Sequence, residues 1–319
     1  MDLCDAVCWV QRIIYIPTTA VGLPLNLAAL WMLFFRIRRY TESTVFLTNL
    51  VLSDILLIFS LPFKIYAYNR RWGLGRNFCS FLESLVYVNM YGSILFIVCI
   101  SVDRYIALRF PFKGKKLRSP RKSTVICLAI WILIFATNHT VYTLHDHGEW
   151  CFQNFSNTTW NKVGIVVSME ITFSVSTTII IFCSINVLLI LRGLRKQNPH
   201  DEKLRNNQSV KIVISNLIVF LVCFIPYHIA ALIYFWAKNS MVEPKDISPL
   251  RQFVHISACV SSVNCLFDGI GYYFILKENW LAAKQERKQL SVRQQIHESI
   301  RGTKREKQEL NMGKTAAGK

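Results

Sequence analysis

The sequence predicts an all-α membrane protein, a seven-transmembrane helix bundle with a short amphipathic helix after span seven. Three observations carry this. Seven apolar stretches are each long enough to cross a bilayer. Only 18% of the 319 residues are charged while 52% are hydrophobic, where a soluble chain carries about 25% charged residues. Lys and Arg, finally, concentrate in alternate connections between the apolar runs.

Roughly 20 apolar residues cover the ~30 Å of hydrocarbon in a membrane. The stretches fall at about 11–35, 44–66, 79–109, 123–143, 163–191, 210–236 and 252–275. Short connections make sequential helices antiparallel neighbours. Residues 1–10 then form an extracellular N-terminus, 11–276 the membrane domain, and 277–319 a cytoplasmic helix and basic tail. With the N-terminus outside, the four cytoplasmic segments hold 3, 8, 6 and 11 of the 37 basic residues, leaving 9 outside. That is a positive-inside distribution, expected of a multi-pass protein of the plasma membrane. The N-terminus has no basic leader, so no cleaved signal peptide is expected and the first helix serves as the insertion signal.

The net charge of +18 does not point to nucleic acid. The basic residues sit between apolar runs, and no zinc-finger spacing, RNA-recognition signature or phosphate-cradling loop is present. Asn154-Phe-Ser156 and Asn157-Thr-Thr159 place two glycosylation acceptors, Asn154 and Asn157, in an outer loop. Asn138 lies too close to the membrane, and Asn207 falls in an inner loop. Most of the ten cysteines lie inside apolar spans, where Cys behaves as a small hydrophobe. Cys79 and Cys151 face the oxidising side and are expected to pair. Cys4 and Cys8 are also outside, and their pairing stays open.

A charge inside a span costs about 2.5–3.5 kcal/mol on insertion scales and marks a functional candidate. At about 1.5 Å per residue, Asp54, Ser93, Asn264 and Asp268 all fall near the bilayer centre. Two carboxylates and two neutral donors at one depth suit a small hard cation, sodium first, as an allosteric ligand; a water-filled polar core is the plainer alternative. No other cofactor is implied. At the inner end of span three, Asp103-Arg104-Tyr105 reads as a guanidinium that Asp103 neutralises locally, or as a snorkelling Arg.

These residues, with Asn26, Asn49-Leu50, Ser53-Asp54, Trp131, Phe220 to His228 and Asp268-Gly269-Ile270-Gly271-Tyr272, resemble the rhodopsin-like G-protein-coupled receptor family over about 11–280. Phe224, His228 and Asp268 together look like its purinergic and lysolipid branch. Ser60-Leu61-Pro62-Phe63-Lys64, Met90-Tyr91-Gly92-Ser93 and Leu117-Arg118-Ser119-Pro120-Arg121-Lys122 are similar to the lysophosphatidylinositol-receptor group. Several positions depart from the family pattern. Ser176 stands where helix five has Pro, Ser184 where relatives carry Tyr, and Gly269 where helix seven has Pro. No Cys follows Cys265, so tail palmitoylation is not expected.

The resemblance implies an activation switch at Phe224, Pro226 and Tyr272. It implies a contact surface for a heterotrimeric G protein at Asp103, Arg104, Tyr105, Arg109 and Phe112, with arrestin as a further partner. The basic tail reads either as a contact with anionic membrane lipids or as a solvated segment.

Lys64, Glu83, Tyr87, Tyr91, His228, Arg251 and His255 read as a ligand cavity with a cationic rim and an aromatic floor. It suits an anionic head group with an apolar tail, so the expected agonist is a small anionic lipid. The alternatives are a Lys64–Glu83 pair as a resting state, and nucleotide or another small anion as ligand. Ala231 stands where nucleotide receptors of the branch carry a basic residue, which favours the lipid. His145-Asp146-His147-Gly148-Glu149 offers a proton or metal sensor as a third idea. Outside the receptor class, a transporter or channel would show related halves with broken helices, and no such repeat is found. An intramembrane enzyme would need a paired membrane Ser and His or a GxGD string; neither occurs, so no enzyme is expected.

Overall fold

A computed structural model of the chain describes residues 3–37, 41–67, 71–111, 118–143, 151–152, 163–198, 208–240 and 244–273, with scattered positions between 276 and 291. The chain forms two units, 1–275 and 276–319. Seven helices of the first unit are long and apolar enough to cross a membrane.

They are α1 (Leu3–Trp31, prolonged by a wider π turn at Met32–Ile37), α2 (Glu42–Tyr66), α3 (Arg76–Arg109), α4 (Pro120–Thr143), α5 (Val163–Gln197), α6 and α7. The first helix begins at Leu3, so 3–10 continue its spiral. A capping box at Thr41, reciprocated by Thr44, satisfies orphan N–H groups at the start of α2. Pro120 opens α4, where its missing N–H costs nothing. With Ser176 where the family pattern has Pro, every N–H is retained and α5 runs unbroken for 35 residues.

Two helices are not regular. α6 runs as Gln208–Val219, a π segment at Phe220–Phe224, and Ile225–Asn239. Pro226 has no N–H to give and crowds the preceding turn; the widened segment before it accommodates both effects. α7 begins as Pro244–Ser261, breaks at Ser262 and Val263, and resumes over 264–273. At the break the bonds shorten to an i→i+3 pattern: Ser262 N–H donates to Cys259 O, Val263 N–H to Val260 O, and Leu266 N–H to Val263 O.

The helices meet along small-residue seams, as lipid-embedded packing requires. A Cβ on Gly92 would lie 2.6 Å from Ser53 Oγ, and one on Gly269 2.8 Å from Asn26 Nδ2. Gly269 therefore lets α7 approach α1, where Asn26 Nδ2 donates to Cys265 O at 2.9 Å. α4 is anchored by Trp131, whose Nε1 donates to Asn49 Oδ1 at 2.8 Å. Its other face leaves Val125, Leu128 and Ile132 exposed, which fits lipid and not water. In the second unit, each described position from Leu276 to Ser291 is helical.

Candidate functional site

Polar side chains gather at four levels of the bundle. At the first, the Cys79–Cys151 disulfide joins the start of α3 to the loop before α5, with Cα atoms 5.8 Å apart. Glu83 lies one turn further along α3. Its Oε1 accepts a 2.6 Å bond from Phe152 N–H. That bond fixes Phe152 at φ 66°, a region a non-glycine residue enters only when its surroundings hold it there. The Phe152 ring in turn lies 5.6 Å from the Lys64 ammonium, and the Tyr15 ring lies 4.9 Å from it.

Lys64 is only 8% exposed. Among the described residues no carboxylate is within ion-pair distance of it, although the charge of Glu83 reaches it. Glu83 instead holds the loop, and Lys64 faces aromatic rings, which a cation finds attractive. His255 is close enough to feel both Lys64 and Arg251. Lys64 of α2 and Arg251 of α7 thus bring two positive charges into one neighbourhood, with His255 near both.

Deeper lies a second group. His228 of α6 is 1% exposed, and its Nδ1 is 3.1 Å from Glu170 Oε1 of α5. Its ring stacks on Phe173 at 3.7 Å between centroids, and Tyr91 meets it edge-on at 6.2 Å. Tyr87 hydrogen-bonds toward Tyr227 beside them. Phe173 also stacks on Phe220 at 5.4 Å, and Phe220 meets Phe224 at 5.7 Å. An aromatic column therefore descends from His228 into the π segment of α6. Glu170 is absent from the sequence-based set. Its signal in the sequence is a lone carboxylate within an apolar span.

At mid-bundle Asp54, Ser93, Asn264 and Asp268 are all at most 1% exposed, and they do converge. Asn264 Nδ2 donates to Ser93 Oγ at 3.0 Å. Asn89, one turn from Ser93 on the same face and also missed from sequence, donates to Asp54 Oδ1 at 2.9 Å. Asp54 Oδ2 and both oxygens of Asp268 are buried without a partner among the described residues. Buried carboxylates left so are costly unless protonated or met by a cation. Three converging oxygens plus the Ser93 and Asn264 oxygens fit a small hard ion. Nearby, Tyr272 donates its hydroxyl proton to Asn216 Oδ1 of α6 at 2.5 Å.

At the fourth level, Asp103 makes no hydrogen bond to Arg104 among the described residues, although its charge reaches the guanidinium. Adjacent residues on a helix point about 100° apart and do not face one another. Asp103 instead accepts from Arg118 Nε at 2.6 Å and Nη2 at 3.1 Å, and from Ser43 Oγ at 2.9 Å. Arg118 also reaches Glu42 at 3.4 Å. Arg104 Nε is buried with no partner among the described residues. Tyr105 packs on Phe182 at 5.7 Å and on Phe110 at 6.3 Å, and Arg109 lies 5.9 Å from the Phe110 ring. Phe112, Asn154, Asn157 and the 145–149 histidine run lie outside the described residues.

This arrangement agrees with comparison to known proteins. The profile of the 7 transmembrane receptor (rhodopsin family) matches residues 25–272. The chain is 32% identical to lysophosphatidic acid receptor 6 of Gallus gallus over 292 residues, 88% of this chain and 91% of that one. It is 32% identical to lysophosphatidic acid receptor 4 of Mus musculus over 276 residues, 83% and 74% of the two chains. It is 34% identical to G-protein coupled receptor 55 of Homo sapiens over 275 residues, 84% and 85%. The chain belongs to the rhodopsin family of seven-transmembrane receptors, a family of receptors rather than enzymes.

Proposed function

We propose that the chain is a plasma-membrane receptor for an anionic lysophospholipid, signalling through heterotrimeric G proteins, with the disulfide end outside and the Arg104 end in the cytoplasm. The Lys and Arg distribution supports that orientation. One observation supports the ligand class: Lys64, buried at the disulfide end, makes no direct ion pair among the described residues and shares its neighbourhood with Arg251. A phosphate or phosphodiester would supply the missing negative charge as a point contact. An acyl tail would contribute about 0.8 kcal/mol for each methylene it buries. The relatives named for lysophosphatidic acid support the same class.

Binding then shifts a two-state equilibrium. The aromatic column from His228 through Phe173 to Phe220 and Phe224 couples the cavity to the π segment of α6. A sodium ion held by Asp54, Ser93, Asn264 and Asp268 favours the resting state. Motion of α6 about Pro226 parts Asn216 from Tyr272 and opens the Arg104 end to a G-protein helix. Arg104, Tyr105, Arg109 and Phe112 form the contact surface, and Asp103, tied to Arg118, keeps α3 in place there. Asn154 and Asn157 carry glycans on the outer loop.

The test is a calcium and RhoA readout in cells against a panel of lysophospholipids and nucleotides, with Lys64→Ala beside the wild type. A lysophospholipid response lost in Lys64→Ala is expected. Activation by ADP or UTP that is indifferent to Lys64→Ala contradicts the reading.

A further inference from the structure

Two buried polar atoms deep in the bundle have no partner among the described residues: His228 Nε2 and the Tyr91 hydroxyl. They belong to adjoining rings, 6.2 Å apart between centroids at an interplanar angle of 81°. The imidazole cannot swing to find a partner elsewhere. Phe173 lies flat against it at 3.7 Å and 7°, and Tyr227 closes its edge at 5.3 Å. Glu170 Oε1 holds Nδ1 at 3.1 Å. Helices α3, α5 and α6 thus fix the direction of Nε2 as firmly as a protein fixes any ring nitrogen.

We propose that Glu170, His228 and Tyr91 form a hydroxyl-recognising subsite, separate from the cationic cluster around Lys64, and that it reads a neutral hydroxyl of the agonist. This rests on the lysophospholipid reading above. With Nδ1–H donated to Glu170, the neutral ring presents a bare lone pair at Nε2, and the group it receives must donate. The Tyr91 hydroxyl, on the ring that meets the imidazole edge-on at 6.2 Å between centroids, both donates and accepts. A ligand hydroxyl gives its proton to Nε2 and takes one from Tyr91. If the ring is instead an imidazolium paired with Glu170, the same hydroxyl reverses both bonds and still fits. A phosphate or carboxylate oxygen has no proton for Nε2 of the neutral ring, and beside an imidazolium it meets a charge that Glu170 already balances at 3.1 Å. The anionic end of the ligand is therefore left to Lys64, and the subsite discriminates by a missing or present O–H, a kind of choice that buried polar groups make sharply.

The hydroxyl has two sources in a lysophospholipid, the glycerol carbon beside the acyl ester and the ring of an inositol head group. Three probes with one oleoyl chain separate them: lysophosphatidylinositol, lysophosphatidic acid and 2-deoxy-lysophosphatidic acid, which lacks the glycerol hydroxyl. Each is measured by competition binding on wild type, Tyr91→Phe and His228→Phe. The last keeps the stack on Phe173 and removes Nε2. Both variants should weaken the hydroxylated lipids by about tenfold and leave the 2-deoxy lipid unchanged. Loss on lysophosphatidylinositol alone assigns the inositol ring; loss on both hydroxylated lipids assigns the glycerol. An equal loss for all three lipids, or no loss for any, overturns the subsite while leaving the receptor reading intact. A wild type that binds none of the three overturns the lysophospholipid reading and the subsite with it.

Discussion

Where α2 and α3 cross, the Ser53 hydroxyl occupies the space a side chain on Gly92 would take, 2.6 Å from an ideal Cβ. Gly92→Ala should cost about 1–3 kcal/mol through overpacking, read as a lower melting temperature of the purified receptor. In a Ser53→Ala background the same change should be neutral or stabilising, because Ala favours a helix over Gly by about 1 kcal/mol. An equal penalty in both backgrounds would refute the seam. The Asp103–Arg118 bridge makes a second demand. Arg118→Gln removes two charge-assisted bonds from a carboxylate that is only 4% exposed. With Arg118 partly open to solvent, the loss should be about 1–2 kcal/mol, again as a fall in melting temperature. Arg121→Gln, at an exposed position on the same segment, serves as a charge control and should shift it less. At this scale the sequence was legible wherever chemistry is local to a residue, as for Asp54 or Lys64. It was misleading for Asp103, because its partner arrives from 15 residues away and only the folded chain brings it.

The hydropathy of the seven elements was enough to find each of them, and several bounds agree closely, as at Tyr66, Arg109 and Val163. What hydropathy lacks is hydrogen-bond register. The π segment of α6 and the break in α7 leave the apolar pattern almost unchanged, and neither was read from sequence beyond Pro226 itself. Both irregularities put polar residues where they act. The break in α7 precedes Asn264, and the π segment separates Asn216 below from His228 above. The Tyr272–Asn216 bond then ties the lower halves of α6 and α7. Asn216→Ala leaves a buried Tyr hydroxyl unpaired and should cost about 1–3 kcal/mol. Asn186→Ala is the contrast: Asn186 is half-buried and its amide donates to Phe182 O of its own helix. Its melting temperature should stay near wild type. A fall of equal size in both variants would mean that the α6–α7 bond adds nothing specific.

For the molecule as a whole, a buried pair of carboxylates midway along the bundle and a buried ammonium nearer the disulfide end define two opposite demands for charge. The first predicts stabilisation by sodium. Raising NaCl against choline chloride at constant ionic strength should raise the melting temperature of the wild type, since an ion that binds only the folded state stabilises it by mass action. Asp268→Asn should abolish the increment. An identical rise with choline alone, or a full sodium effect in Asp268→Asn, would remove the ion from the account. The second demand was visible in the sequence as Lys64, but the bond from the Phe152 backbone that holds the Glu83 carboxylate was not, because no periodicity reveals it. The central claim is that Lys64 selects the negative charge of a lysophospholipid. Equilibrium binding of a lysophosphatidic acid and of its neutral dimethyl phosphate ester, on purified wild type and Lys64→Gln, tests it most directly. The wild type should prefer the charged lipid by about tenfold or more, and Lys64→Gln should bind the two alike. Equal binding of both lipids by the wild type would contradict it.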